Sequence, residues 1–107
     1  MKTRQRAIID EIEKIRRKIV DLGHMHPGSL SVQKRKRSGE YWHLSYSHDG
    51  KGHTEYIRKA DLPAVREELE NYRILRELIT RWVGLEIELS RIRRKERRTS
   101  GAGADRT

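Results

Sequence analysis

The sequence predicts an α+β fold, with an N-terminal helix, a three-stranded antiparallel β-meander and a long C-terminal helix. Three observations predict it. Ile8, Ile12, Ile15, Ile19 and Leu22 recur at spacings of 4, 3, 4 and 3, which is one face of a helix. Residues 41–47, Tyr-Trp-His-Leu-Ser-Tyr-Ser, alternate in polarity and run into Asp49-Gly50, the strongest short-range hairpin signal. Leu75, Leu78, Trp82, Leu85, Leu89 and Ile92 recur at 3, 4, 3, 4 and 3, a seam of heptad spacing.

In chain order, the first stripe predicts a helix over 3–22, with Asp10, Glu11 and Glu13 mostly ahead of Arg16, Arg17 and Lys18 as the helix dipole favours. Gly23 is the expected stop, and His26-Pro27-Gly28-Ser29 has Pro and Gly where a type II turn needs them. Leu30 and Val32 alternate with Ser31 and Gln33 before Lys34-Arg35-Lys36-Arg37, so a first strand over 30–37 runs out of its core into solvent. Ser38-Gly39 is a turn, 41–47 the central strand and 53–58 the third, which places the sheet within 30–58. Asp61 is a suitable N-cap and Pro63 suits the first turn of a helix over 62–95. At 1.5 Å per residue that helix is about 50 Å long. Gly84 is its weak point. Residues 1–98 read as a single domain, and 99–107, polar and Gly-rich, as a disordered tail.

The two helices are expected to pair in a coiled-coil-like manner. A first helix of about 30 Å leaves part of a 50 Å seam unmatched. The expectation is therefore a homodimer through Leu75, Leu78, Trp82, Leu85, Leu89 and Ile92, or a protein partner along the long helix.

Composition narrows the function classes. The net charge is +9 over 107 residues, with only 34% apolar residues and no Cys. Disulfides and thiolate metal sites are excluded. No apolar run approaches a membrane span and the N-terminus lacks an apolar signal core, so the expected setting is soluble and cytoplasmic. Residues 60–90 hold seven acidic and four basic side chains, whereas residues 91–107 hold seven basic and two acidic. Segregation of this kind directs a field rather than spreading it. Five histidines raise a metal question, but none form a helical HxxxH or HExxH pair. There is no P-loop, GxGxxG cradle or nucleophile elbow. The chain is not expected to be an enzyme, and no cofactor is expected.

The hairpin is more informative. With a two-residue Asp49-Gly50 turn, Trp42 lies opposite Ile57, Leu44 opposite Glu55 and Tyr46 opposite His53, a face suited to packing. The other face pairs Tyr41 with Arg58, His43 with Tyr56 and Ser45 with Thr54. Such aromatic pairs stabilise small sheets. They also stack on bases and donate hydrogen bonds. Beside them lie Lys34, Arg35, Lys36 and Arg37, four consecutive cations suited to phosphate, although charge also keeps an edge strand from aggregating. Arg91, Arg93, Arg94, Lys95, Arg97 and Arg98 form a second basic run, six of eight residues, more than capping a helix C-terminus requires. The expected function is nucleic-acid binding, DNA rather than RNA. The alternative is a protein-interaction adaptor whose basic patches bind an acidic partner.

The order HPGSL (26–30), YWHLSYSHDGK (41–51) and YIRKADLPAVREELENYRILREL (56–78) resembles a family of small, uncharacterised bacterial and archaeal proteins associated with mobile elements. In that family the Pro-Gly-Ser-Leu turn precedes a Cys-rich insert. Here the insert is replaced by Lys-Arg-Lys-Arg-Ser-Gly-Glu (34–40), so no metal-binding role carries over. The resemblance spans about residues 26–78 and implies the fold rather than an activity. The order of three strands and a helix is also similar, in topology alone, to the arm-type DNA-binding domains of tyrosine recombinases.

Overall fold

The structure, a computed structural model, describes residues 2–37 and 39–100. The N-terminal stripe forms α1 (Lys2–Asp21), followed by β1 (Ser29–Arg35), β2 (Gly39–His48), β3 (Lys51–Ile57), a 3-10 turn over Lys59–Asp61 and α2 (Leu62–Ser100). The expected order of elements is found, as an antiparallel sheet in the order β1-β2-β3. Helix α2 continues past residue 95 to Ser100. Of the expected tail, residues 101–107 lie outside the described residues, as does Ser38 of the expected Ser38-Gly39 turn. No described helix is long and apolar enough to cross a membrane.

The stretch read as one domain is built from two compact units. One contains α1 and the part of α2 from Glu77; the other is Leu22–Arg76.

In the helical unit, Ile8, Ile12 and Ile15 of α1 form a buried cluster with Leu85 and Leu89 of α2, and Ile9, Ile19, Leu78, Trp82 and Ile92 pack around it. Two bidentate ion pairs mark the register. Arg4 donates to both carboxylate oxygens of Glu88, each at 2.7 Å. Arg81 donates to those of Glu11 at 2.7 and 3.0 Å. From Arg4 to Glu11 the chain advances one heptad on α1, while from Glu88 to Arg81 it retreats one heptad on α2. The helices are therefore antiparallel, and the polarity of the pair reverses between the two rungs. Each hydrogen-bonded arginine holds its glutamate below the usual carboxylate range. The Arg16 guanidinium lies 5.9 Å from the centre of the Trp82 ring, where a cation is attracted to the ring face.

This packing places much of the expected dimer seam inside a single chain. Leu85 and Leu89 are 1% and 4% exposed within one chain, because α1 covers them. The seam is shorter than the helix that carries it: its apolar contacts run only from Leu78 to Ile92, roughly 21 Å, within reach of a helix of about 30 Å. Leu75 belongs to the other unit and is half-buried.

In the Leu22–Arg76 unit, β2 and β3 pair in the predicted register, Trp42 with Ile57, His43 with Tyr56 and Leu44 with Glu55. The turn fixes it: Asp49 and Gly50 both take positive φ, 52° and 77°, as a type I′ turn demands. β1 adds Leu30 opposite Leu44 and Val32 opposite Trp42, so these side chains share one side of the sheet. On that side Leu44 is 2% exposed. Tyr46 stacks on His53, meets the His26 ring edge-on and donates to Glu55 at 2.7 Å. That bond to the carboxylate raises the Tyr46 pKa. Arg66 of α2 lies 5.1 Å from the centre of the Trp42 ring, whose indole N–H finds no acceptor among the described residues.

The connection that follows α1 is latched to the first turns of α2. The His26 amide donates to the Glu68 carbonyl at 3.1 Å, and the Asn71 side chain donates to the His24 carbonyl at 2.8 Å. Gly23 does not take the left-handed conformation of a helix stop. It is instead where a Cβ would come within 3.3 Å of the Asn71 amide. Gly28 takes φ 114° as the turn predicted, and a Cβ there would collide with the Ser45 carbonyl oxygen.

Candidate functional site

Alternation puts Ser29, Ser31, Gln33 and Arg35 of β1, Tyr41, His43, Ser45 and Ser47 of β2, and Thr54 and Tyr56 of β3 on the second side of the sheet. None of these side chains is buried, and only Tyr41 and His43 are as much as half-buried. Both glutamates of the sheet, Glu40 and Glu55, have the opposite parity and fall on the packed side. Among the described residues, the open side therefore carries no carboxylate.

A row of rings crosses it. Tyr41, on the central strand, lies 4.6 Å from Tyr56 of β3 at an interplanar angle of 30°. The Arg35 guanidinium of β1 is 4.6 Å from the centre of the Tyr41 ring. His43 is also 4.6 Å from Tyr41, tilted by 55°. Tyr56 is 53% exposed. Beside the row, the Ser45 and Thr54 hydroxyls are 3.5 Å apart. Cation–π contact orients Arg35 without neutralising it, and no described carboxylate pairs with it.

Tyr41, His43, Tyr56 and Arg35 are thus brought together as the sequence predicts. The remaining predicted contacts are placed differently. Lys34 pairs with Glu40 in the ladder, on the side of Trp42, because a strand shows alternate residues to opposite sides. Lys36 and Arg37 are exposed in the turn after β1. Arg58, expected opposite Tyr41, lies beyond the ladder, which ends at the Trp42–Ile57 pair. Its guanidinium bonds Asp61 at 3.2 Å, since the backbone is already turning into the 3-10 segment. Sequence reasoning overlooked β1's contribution of Ser29, Ser31 and Gln33. The signal was available, because pairing Val32 with Trp42 fixes the side of every other β1 residue.

Arg91, Arg93, Arg94, Lys95, Arg97 and Arg98 are exposed on α2 and belong to the helical unit. Helical spacing aligns Arg91, Arg94, Lys95 and Arg98 along one side, and Arg94 also donates to the Ser90 carbonyl at 3.3 Å. Among the described residues no three His, Asp or Glu side chains converge as a metal site would require.

No curated protein and no solved structure matches the chain at a significant level. The likeness to recombinase arm domains therefore rests on strand order alone. A family model matches residues 1–67, which takes in α1, the whole sheet with its open side, and the start of α2. The chain belongs to the family described as Domain of unknown function (DUF6788).

Proposed function

We propose that the protein binds nucleic acid, and DNA in particular, through the open side of its sheet. The observation that carries this reading is that no described carboxylate lies on a surface that presents Arg35, Tyr41, His43 and Tyr56. A sheet kept soluble by charge alone would gain from mixed signs. A surface with no described negative charge, and with Lys36 and Arg37 in the adjoining turn, suits a polyanion. The resemblance to proteins of mobile elements also favours DNA. The basic run at the end of α2 supplies further phosphate contacts by the same chemistry.

The test is fluorescence anisotropy of labelled DNA over a salt series. Arg35→Ala combined with Arg37→Ala should weaken binding on every sequence and reduce the slope of log K against log salt by about 0.9 for each phosphate no longer neutralised. An unchanged slope would remove these residues from the interface.

A second reading has one observation in its favour. Ile79, Val83 and Ile87 are 43%, 51% and 49% exposed and stand one helical turn apart on α2. Arg94 continues the same stripe, which would suit an acidic partner protein. Ile79→Ser with Ile87→Ser should abolish that association and leave DNA binding intact.

A further inference from the structure

We infer that the nucleic acid taken by the open side is a B-form DNA duplex, met through the hydrogen-bonding edges of the side chains rather than by bases stacked on the rings. The inference rests on the nucleic-acid reading above and deepens it. The usual use of tyrosines on a sheet is as platforms for unstacked bases, which requires ring faces free to receive them. Here the central ring, Tyr41, is already engaged by its neighbours, and Tyr56 stacks on it with one face. Tyr41 is approached from the β1 side by Arg35 and from the β3 side by Tyr56, each at 4.6 Å, and His43 closes on the same ring. A base could displace one of these partners only by giving up an existing stack for a new one.

The row also carries a polar rim. The Arg35 fork, the two phenol hydroxyls and the His43 ring nitrogens are hydrogen-bonding groups. Gln33 lies directly opposite Tyr41 in the ladder and two residues before Arg35, so an amide and a guanidinium stand side by side on one strand. These are the two side-chain types that meet adenine and guanine edges bidentately in the major groove. Ser45 and Thr54, hydroxyls 3.5 Å apart, extend the same polar strip.

Dimensions favour B-form DNA over duplex RNA. The B-form major groove, about 12 Å wide, admits a two-stranded β-ribbon, and the β1–β2 pair carries Gln33, Arg35, Tyr41 and His43 on one side. The A-form major groove is too deep and narrow for side chains to read.

The experiment compares fluorescein-labelled duplex DNA, single-stranded DNA and duplex RNA of equal length, with heparin as competitor, for the wild-type chain and for Tyr56→Phe and Tyr56→Ala. Circular dichroism checks that each variant folds, which is expected because Tyr56 is half exposed. The inference expects duplex DNA to bind about tenfold or more tightly than either alternative. Tyr56→Phe, which keeps the ring and removes the hydroxyl, should lose roughly two- to tenfold on duplex DNA. Tight single-strand binding that survives Tyr56→Phe but falls by roughly fivefold to a hundredfold in Tyr56→Ala would overturn it and establish ring stacking. Duplex RNA bound as tightly as duplex DNA would overturn it too. Failure of the underlying reading has a separate signature: either no polymer binds, or all three bind alike, heparin competes equally and neither Tyr56 variant changes anything.

Discussion

In the helical unit, Arg4 and Arg81 each grip a glutamate of the opposing helix, and the apolar seam is filled by α1. On the open side of the sheet, Arg35 lies on a tyrosine and meets no described carboxylate. Both surfaces carry arginine, yet only the first pairs it with the protein's own carboxylates. Arginine count therefore says little about where a basic protein meets its ligand. What distinguishes the two regions is whether a carboxylate has been placed within reach.

The largest effect expected from this contrast is at the seam. Leu85 is 1% exposed and sits among Ile8, Ile12, Ile15 and Leu89. Leu85→Ala should cost about 2–5 kcal/mol, the lost transfer energy plus the cavity left behind. Urea unfolding followed by helical circular dichroism measures it. Arg35→Ala, on an exposed strand position, should change stability by no more than about 0.5 kcal/mol while weakening the proposed DNA binding. If the two variants exchanged these behaviours, the division between a structural and a contact surface would collapse.

A smaller effect separates a flaw in α2 from a requirement of it. The helix runs unbroken through Gly84, where an added Cβ would meet nothing within 4 Å. Gly84→Ala should therefore stabilise the protein by about 1 kcal/mol through helix propensity alone, read in the same urea experiment. A loss instead of a gain would mean that something packs closely on that side of α2. Gly28 is the opposite case: its positive φ and the Ser45 carbonyl against it leave no room for a side chain.

Those two glycines also mark what could be read from the chain and what could not. Gly28 and the Asp49-Gly50 turn were legible because a turn type imposes its conformation on named residues, and the alternation of 41–47 then fixed the register of β2 with β3. The ring row followed from that register. The seam of α2 was equally legible, and so was its pairing with α1, but how much of the seam α1 would fill was not. A heptad stripe states that something covers it without stating over what length. The register was encoded in charges one heptad apart, Arg4 and Glu11 on α1 matching Glu88 and Arg81 on α2 in reverse order. Strand ends were the other weak point. Whether Arg58 reaches the open side depends on where the ladder stops, and alternation within a strand does not specify its last rung.

The ion pairs themselves provide the finest test of the comparison. Glu11 and Glu88 titrate lower in the folded chain than in the unfolded one, first because Arg81 and Arg4 donate hydrogen bonds to them and then through the charge of the same arginines, against an opposing effect of desolvation. A carboxylate whose folded pKa is depressed contributes stability above its unfolded pKa and loses it as the pH falls through the folded value. The contribution is thus complete at neutral pH and disappears below the ordinary carboxylate range. Glu70 is depressed by Arg73 and titrates in the same window, but that pair lies within one helix turn. Comparison with Glu11→Gln combined with Glu88→Gln isolates the interhelical part. The double variant should be slightly less stable than wild type at neutral pH and converge with it in acid, because exposed pairs of this kind contribute little and are screened by salt. A constant gap across the titration would mean that the two glutamates act through shape rather than charge. In that case the helix pair would owe its register to the isoleucine and leucine seam alone, and neither surface would use the charge of its arginines to stabilise the fold.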